Sequence, residues 1–144
     1  MQIPEETRYR LRLADGFLQE AHEDIALRRW RSCVDNSQLA TENAAKSVLA
    51  LLGPVGRTHN PAVILRQAVE RGDYPDFIHQ KVERLAECAE LLGPDVHVQS
   101  DYGDEAGGQT PWELFDQDAA QQALHLAEEA VLLSKEVFGG HAAV

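Results

Sequence analysis

Between Ser32 and Leu52 the chain runs 21 residues without a glycine or a proline. At about 100° per residue, Cys33, Val34, Ser37, Ala40, Thr41, Ala44, Val48, Leu51 and Leu52 fall on one broad arc. Most of that arc is small or β-branched, which suits a helix packed closely against neighbours. Gln38, Glu42 and Lys46 run along one edge at steps of four. Glu42 preceding Lys46 is the favourable order for a helical ion pair, worth about 0.3–0.5 kcal/mol when exposed. On pattern alone this edge reads as a solvated flank carrying a surface pair.

The rest of the chain is helical in the same way. Pro4-Glu5-Glu6 opens a first helix with acids at its positive end, and Leu11, Ala14, Leu18, Ala21 and Ile25 give it an apolar stripe until about Arg28. The second helix spans about Arg31 to Leu52 and is stopped by Gly53-Pro54. Pro61 opens a third over Ala62–Arg71, closed by Gly72, and Pro75 begins a fourth that ends at Gly93-Pro94. A segment of about 18 residues with Asp-Tyr-Gly-Asp and Gly-Gly reads as a loop. The last helix begins between Pro111 and Asp116, continues to Phe138, and shows a face of Ala119, Ala123, Ala127, Ala130, Ser134 and Val137. Only Val96-His97-Val98 alternates like a strand. The expectation is one all-α domain over 1–144, an up-and-down bundle of five helices.

Composition narrows the function. The net charge of −11 lies wholly in residues 32–144, because six arginines balance six acids before that point. A nucleic-acid binder normally displays a basic footprint, and here there are two small arginine clusters at opposite ends of the first helix. RNA binding by a lone subunit is thus disfavoured, and the charge suits a basic protein partner. Cys33 and Cys88 sit inside helical patterns with no CxxC, so both read as buried free thiols. No leader-like amino terminus and no membrane-length apolar run is present, so a soluble, cytoplasmic protein is expected.

The series Gln38-x-Ala40-x-Glu42-x-Ala44-x-Lys46, running into Leu49-Ala-Leu-Leu-Gly53, resembles the second helix of HEPN domains. Gly56-Arg57-Thr58-His59-Asn60 with Leu65 resembles the turn that opens their third helix, and Phe17 to Ala21 with Asp24 and Trp30 fits their first. Ser100-Asp-Tyr-Gly-Asp104, Pro111 and the alanine-rich end fit their late loop and final helix. The resemblance covers roughly residues 8–138. It implies a helical bundle, a homodimer, and the company of a small nucleotidyltransferase in a toxin–antitoxin-like system.

Many members of that family are metal-independent ribonucleases in which an arginine is followed, after four to six intervening residues, by a histidine. Here no histidine among His22, His59, His79, His97, His125 and His141 has an arginine at that distance. The expectation is therefore a non-catalytic binding module, with a ribonuclease of diverged active site as the alternative. Gln38, Glu42, Lys46, Arg57 and His59, joined by Asp101 and Tyr102, form the candidate ligand- or partner-binding set, with a nucleotide as a possible ligand. Arg57 would offer a forked donor set for phosphate or carboxylate. Thr58 or Asn60 would cap the third helix. His59, His97, Asp95, Asp101 and Asp104, read as loop residues, give no dedicated ligand pair, and no metal or cofactor is expected. Glu-x-x-His, GxSxG and phosphate-loop motifs are absent.

Overall fold

The computed structural model describes residues 3–142; Met1 and Gln2, read above for a leader, lie outside them. The element order is α1 (Glu5–Ala26), α2 (Trp30–Leu49), α3 (Pro61–Glu70), α4 (Asp76–Leu91), α5 (Pro94–Tyr102), α6 (Pro111–Leu114) and α7 (Gln117–Ala142). The five expected helices are α1 to α4 and α7. The segment read as a loop instead carries α5 and α6. Among the described residues the only β feature is an isolated Asp104–Gln109 bridge.

Both short helices follow from local chemistry. Leu-Leu-Gly-Pro occurs at 51–54 and again at 91–94, yet only the second proline starts a helix. There Pro94 occupies the first turn, with Asp95 beside it at the positive end. α5 then stops at Gly103, whose φ of +72° and tight approach to Gln109 and Pro111 leave no room for a Cβ. Thr110 caps α6: the Glu113 amide donates to Thr110 Oγ1 at 3.3 Å, and the Thr110 hydroxyl donates to Glu113 Oε1 at 3.0 Å. Asp116 Oδ1 accepts from the Ala119 amide at 2.9 Å and starts α7 separately. One apparent helix start between Pro111 and Asp116 is therefore two.

α2 touches all six other helices. From Ala40 to Ala50 every residue is buried, so the helix is enclosed on all sides and not only along its apolar arc. The small residues make this possible: Ala40, Ala44 and Ala45 are wholly buried and let neighbouring backbones close in. Ala123, Ala127, Ala130, Ser134 and Val137 of α7 are likewise buried within the chain. These alanine and serine faces of α2 and α7 are thus occupied within the chain. One apolar cluster joins Ala44, Val48, Leu65, Ile78, Val82, Leu85 and Val137, and a second joins Ala21, Cys33, Val34, Leu92, Ala120 and Leu124. No described helix is long and apolar enough to cross a membrane.

α1 and α2 are linked by Leu27–Arg29. Arg28 adopts φ of +59°, and the Arg29 amide donates to Asp24 O at 2.8 Å. This is a Schellman-type helix end with arginine where glycine is usual, at a cost of roughly 1 kcal/mol or more.

Ala44 is fully buried at the middle of α2. Ala44→Glu is expected to lose several kcal/mol, because a carboxylate would be buried without a partner. A melting temperature equal to wild type would show that this face of α2 is not enclosed.

Candidate functional site

Arg31, Asp35, Gln38, Glu42 and Lys46 follow one another along α2 at steps of four, three, four and four, a single stripe of the helix. The sequence suggested that its second half was a solvated flank. Instead, Gln38, Glu42 and Lys46 are 1%, 7% and 5% exposed. Lys46 Nζ donates to Glu42 Oε2 at 3.2 Å, and Gln38 Nε2 reaches Glu42 Oε1 at 3.5 Å. A buried ammonium and carboxylate need each other, since neither has water to fall back on.

The stretch between α2 and α3 closes over this end of the stripe. Val55 N donates to Glu6 Oε1 at 3.3 Å, tying the stretch to α1. Arg10, also on α1, lies 3.8 Å from Glu6 and donates to Asn43 Oδ1 at 3.3 Å. Arg10, Lys46, Val55, Gly56, Arg57, Thr58 and His59 line a groove of about 330 Å³. Arg57 is exposed and makes no hydrogen bond or ion pair among the described residues. His59 Nδ1 lies 3.8 Å from Glu42 Oε2, with its side chain 80% exposed. Gln38 Oε1, Thr7 Oγ1 and Arg10 Nε are buried without a hydrogen-bond partner. Neither expected cap holds α3; Thr58 Oγ1 accepts from the Asn60 amide at 3.0 Å and shapes the turn before it. Arg10 was missed by sequence reasoning, because nothing in its own helix pairs it with a groove built from residues 46–59.

Asp101 and Tyr102 do not join this groove. They sit exposed at the end of α5, near the other end of the α2 stripe. Arg31 lies 3.7 Å from Asp101 Oδ1 and donates to Ser100 O at 2.8 Å. Between Arg31 and Lys46 the helix rises roughly 22 Å, so the candidate set divides into two places. Beside the second place, Arg28, Arg29, Trp30, Arg31, Trp112 and Phe115 surround a pocket of about 510 Å³. Arg31 stacks 5.8 Å from the Trp112 ring, and that ring's residue is 74% exposed. In a wider depression between α4 and α7, Arg84 grips Glu129 through two 2.7 Å hydrogen bonds. That grip holds the Glu129 carboxyl below its usual range.

The HEPN domain family matches residues 7–137. The chain belongs to the HEPN family. Among solved structures it is similar to TT1696 from Thermus thermophilus, at 20% identity and a TM-score of 0.68, covering 93% of this chain and 99% of that one. At that identity the likeness concerns the fold. No curated protein matches the sequence.

In this HEPN domain the two thiols are free and buried. Burial, above all, pushes Cys33 and Cys88 from an ordinary 9.0 up to about 11. Burial also raises the Tyr74 phenol, which donates to Val48 O at 2.9 Å. A folded-state pKa above the unfolded one means that the folded chain holds the proton more tightly. The resulting stability is full below pH 9 and is lost as pH rises toward 11. Urea midpoints are expected to fall across that window, and both thiols to resist a disulfide reagent at pH 8 until the chain unfolds.

The buried pair gives a second prediction. Lys46→Met strands Glu42 and should cost about 3–5 kcal/mol, whereas Lys46→Met with Glu42→Gln should recover most of it. Equal urea stability of the single and double variants would mean that the two groups do not depend on each other.

Proposed function

We propose that this HEPN domain is a non-catalytic binding module whose groove beside Lys46 takes an anionic group of a nucleotide or protein partner. The observation that carries this reading is the Glu42–Lys46 pair, held out of water beneath an unpaired Arg57 and an exposed His59. Arg10, Lys46 and Arg57 bring three cationic side chains to one small groove in a chain of net charge −11. Glu42 anchors Lys46 from below, so the ammonium is positioned before a ligand arrives and little ordering is left to do. Arg57 supplies the forked donor geometry that suits phosphate or carboxylate. His59, close to Glu42, adds a donor at the rim.

The partner this reading favours is a small nucleotidyltransferase-type protein in a toxin–antitoxin-like system, with the HEPN chain as a homodimer. Exposed Leu52 and Ile64, which share a depression with Val55 and Gly56 of the groove, offer apolar surface for such contacts. Light scattering is expected to give twice the 16.0 kDa of one chain. A mass of one chain across micromolar concentrations would remove the dimer.

Arg57→Ala with His59→Ala should weaken binding of a nucleoside monophosphate by tenfold or more, about 1.4 kcal/mol, with no change in melting temperature. Purified protein should leave RNA intact without added metal. RNA cleavage that disappears in His59→Ala or His97→Ala would replace this reading with a ribonuclease of rearranged active site.

A further inference from the structure

The far end of the α2 stripe carries a separate constellation. Asp35 on α2 and His97 and Asp101 on α5 place one ligand atom each within 4.8 Å of one another. Sequence reasoning saw no ligand-pair spacing here, although His97 and Asp101 stand four residues apart. Because α5 is helical, their spacing of four puts them on one face, directed at Asp35.

The surroundings hold these three groups in place. Ser100 is fully buried between α5 and α2, its hydroxyl 3.0 Å from Asp35 Oδ1 and 2.8 Å from His97 O, with one proton to share between them. His97 Nδ1 is shut off from solvent, has no hydrogen-bond partner, and lies 3.5 Å from Asp35 Oδ1. A buried ring nitrogen without a partner is uncommon and calls for an explanation. His97 Nε2 lies 3.8 Å from Asp101 Oδ2, so each ring nitrogen has a carboxylate near it. Arg31 sits against the other oxygen of Asp101. Within this set of contacts two carboxylates meet one guanidinium.

We propose that Asp35, His97 and Asp101 form a binding site for a divalent cation of the zinc class. One imidazole nitrogen and two carboxylate oxygens are a donor set suited to such borderline ions, and three protein ligands leave a position for water. Binding an ion would draw the three ligand atoms closer together than the 4.8 Å within which they lie. The site lies apart from the Arg57–His59 groove and does not depend on what that groove binds. Bridging α2 to α5, the ion ties the late helix to the central one.

The test is zinc titration of the full chain by competition with a chromophoric chelator. One equivalent is expected to bind, with affinity reduced tenfold or more in His97→Ala and in the near-isosteric Asp101→Asn, and unchanged in His59→Ala. Cobalt in place of zinc should give a visible band without thiolate charge transfer, since Cys33 and Cys88 are buried. No zinc binding at micromolar concentration by the wild type would overturn the proposal. So would equal affinity in Asp101→Asn, or an equal loss in His59→Ala, which would mark scattered surface histidines.

Discussion

The enclosure of α2 is the constraint on which the rest of this structure depends. A helix in contact with all six others cannot carry polar side chains casually, yet Gln38, Glu42 and Lys46 lie within it. Their burial is tolerable because Glu42 accepts from both Gln38 and Lys46 along a single stripe and because the stretch after α2 closes over Lys46. The same enclosure explains the composition of the neighbours. Alanines of α7 and α2 bring backbones close, so that a central helix fits inside a chain of 144 residues.

That stripe also organises the chemistry. Arg31 and Asp35 face α5 at one end, and Lys46 faces the turn before α3 at the other. Charge follows the same division. The chain as a whole is strongly acidic, but arginines gather around the turn between α1 and α2 and near the groove mouth. Focused cationic surface in an acidic protein favours small anionic ligands or local protein contacts over a long nucleic-acid track. Arg28, held in a left-handed conformation where glycine would be unstrained, keeps its guanidinium 6.0 Å from the Trp30 ring at that turn.

Much of the candidate groove was legible because its members are close in sequence or share a helical period. Gln38, Glu42 and Lys46 announce one another at steps of four, and Arg57 and His59 follow within one short turn. Their burial was not legible. An i, i+4 Glu–Lys pair looks the same in sequence whether water or a neighbouring helix faces it. Arg10 and Asn43 enter the same region from helix faces whose own pattern does not single them out. For Asp35, His97 and Ser100 the obstacle was α5 itself, whose start at Pro94 looks like the stop that ends α4.

Periodicity, proline and glycine positions, and the order of weakly conforming motifs were enough to determine an all-α bundle and its kinship with HEPN domains. Each of these signals is local, set by backbone sterics and by which residues repeat every three or four positions. Tertiary structure decided which sides of α2 are covered, that the late segment folds as α5 and α6, and that Asp101 meets His97 and Asp35 far from Lys46. Those outcomes depend on packing between segments distant in the chain. Whether a charge is buried, paired or free is a property of its three-dimensional neighbours, which no spacing along the chain specifies.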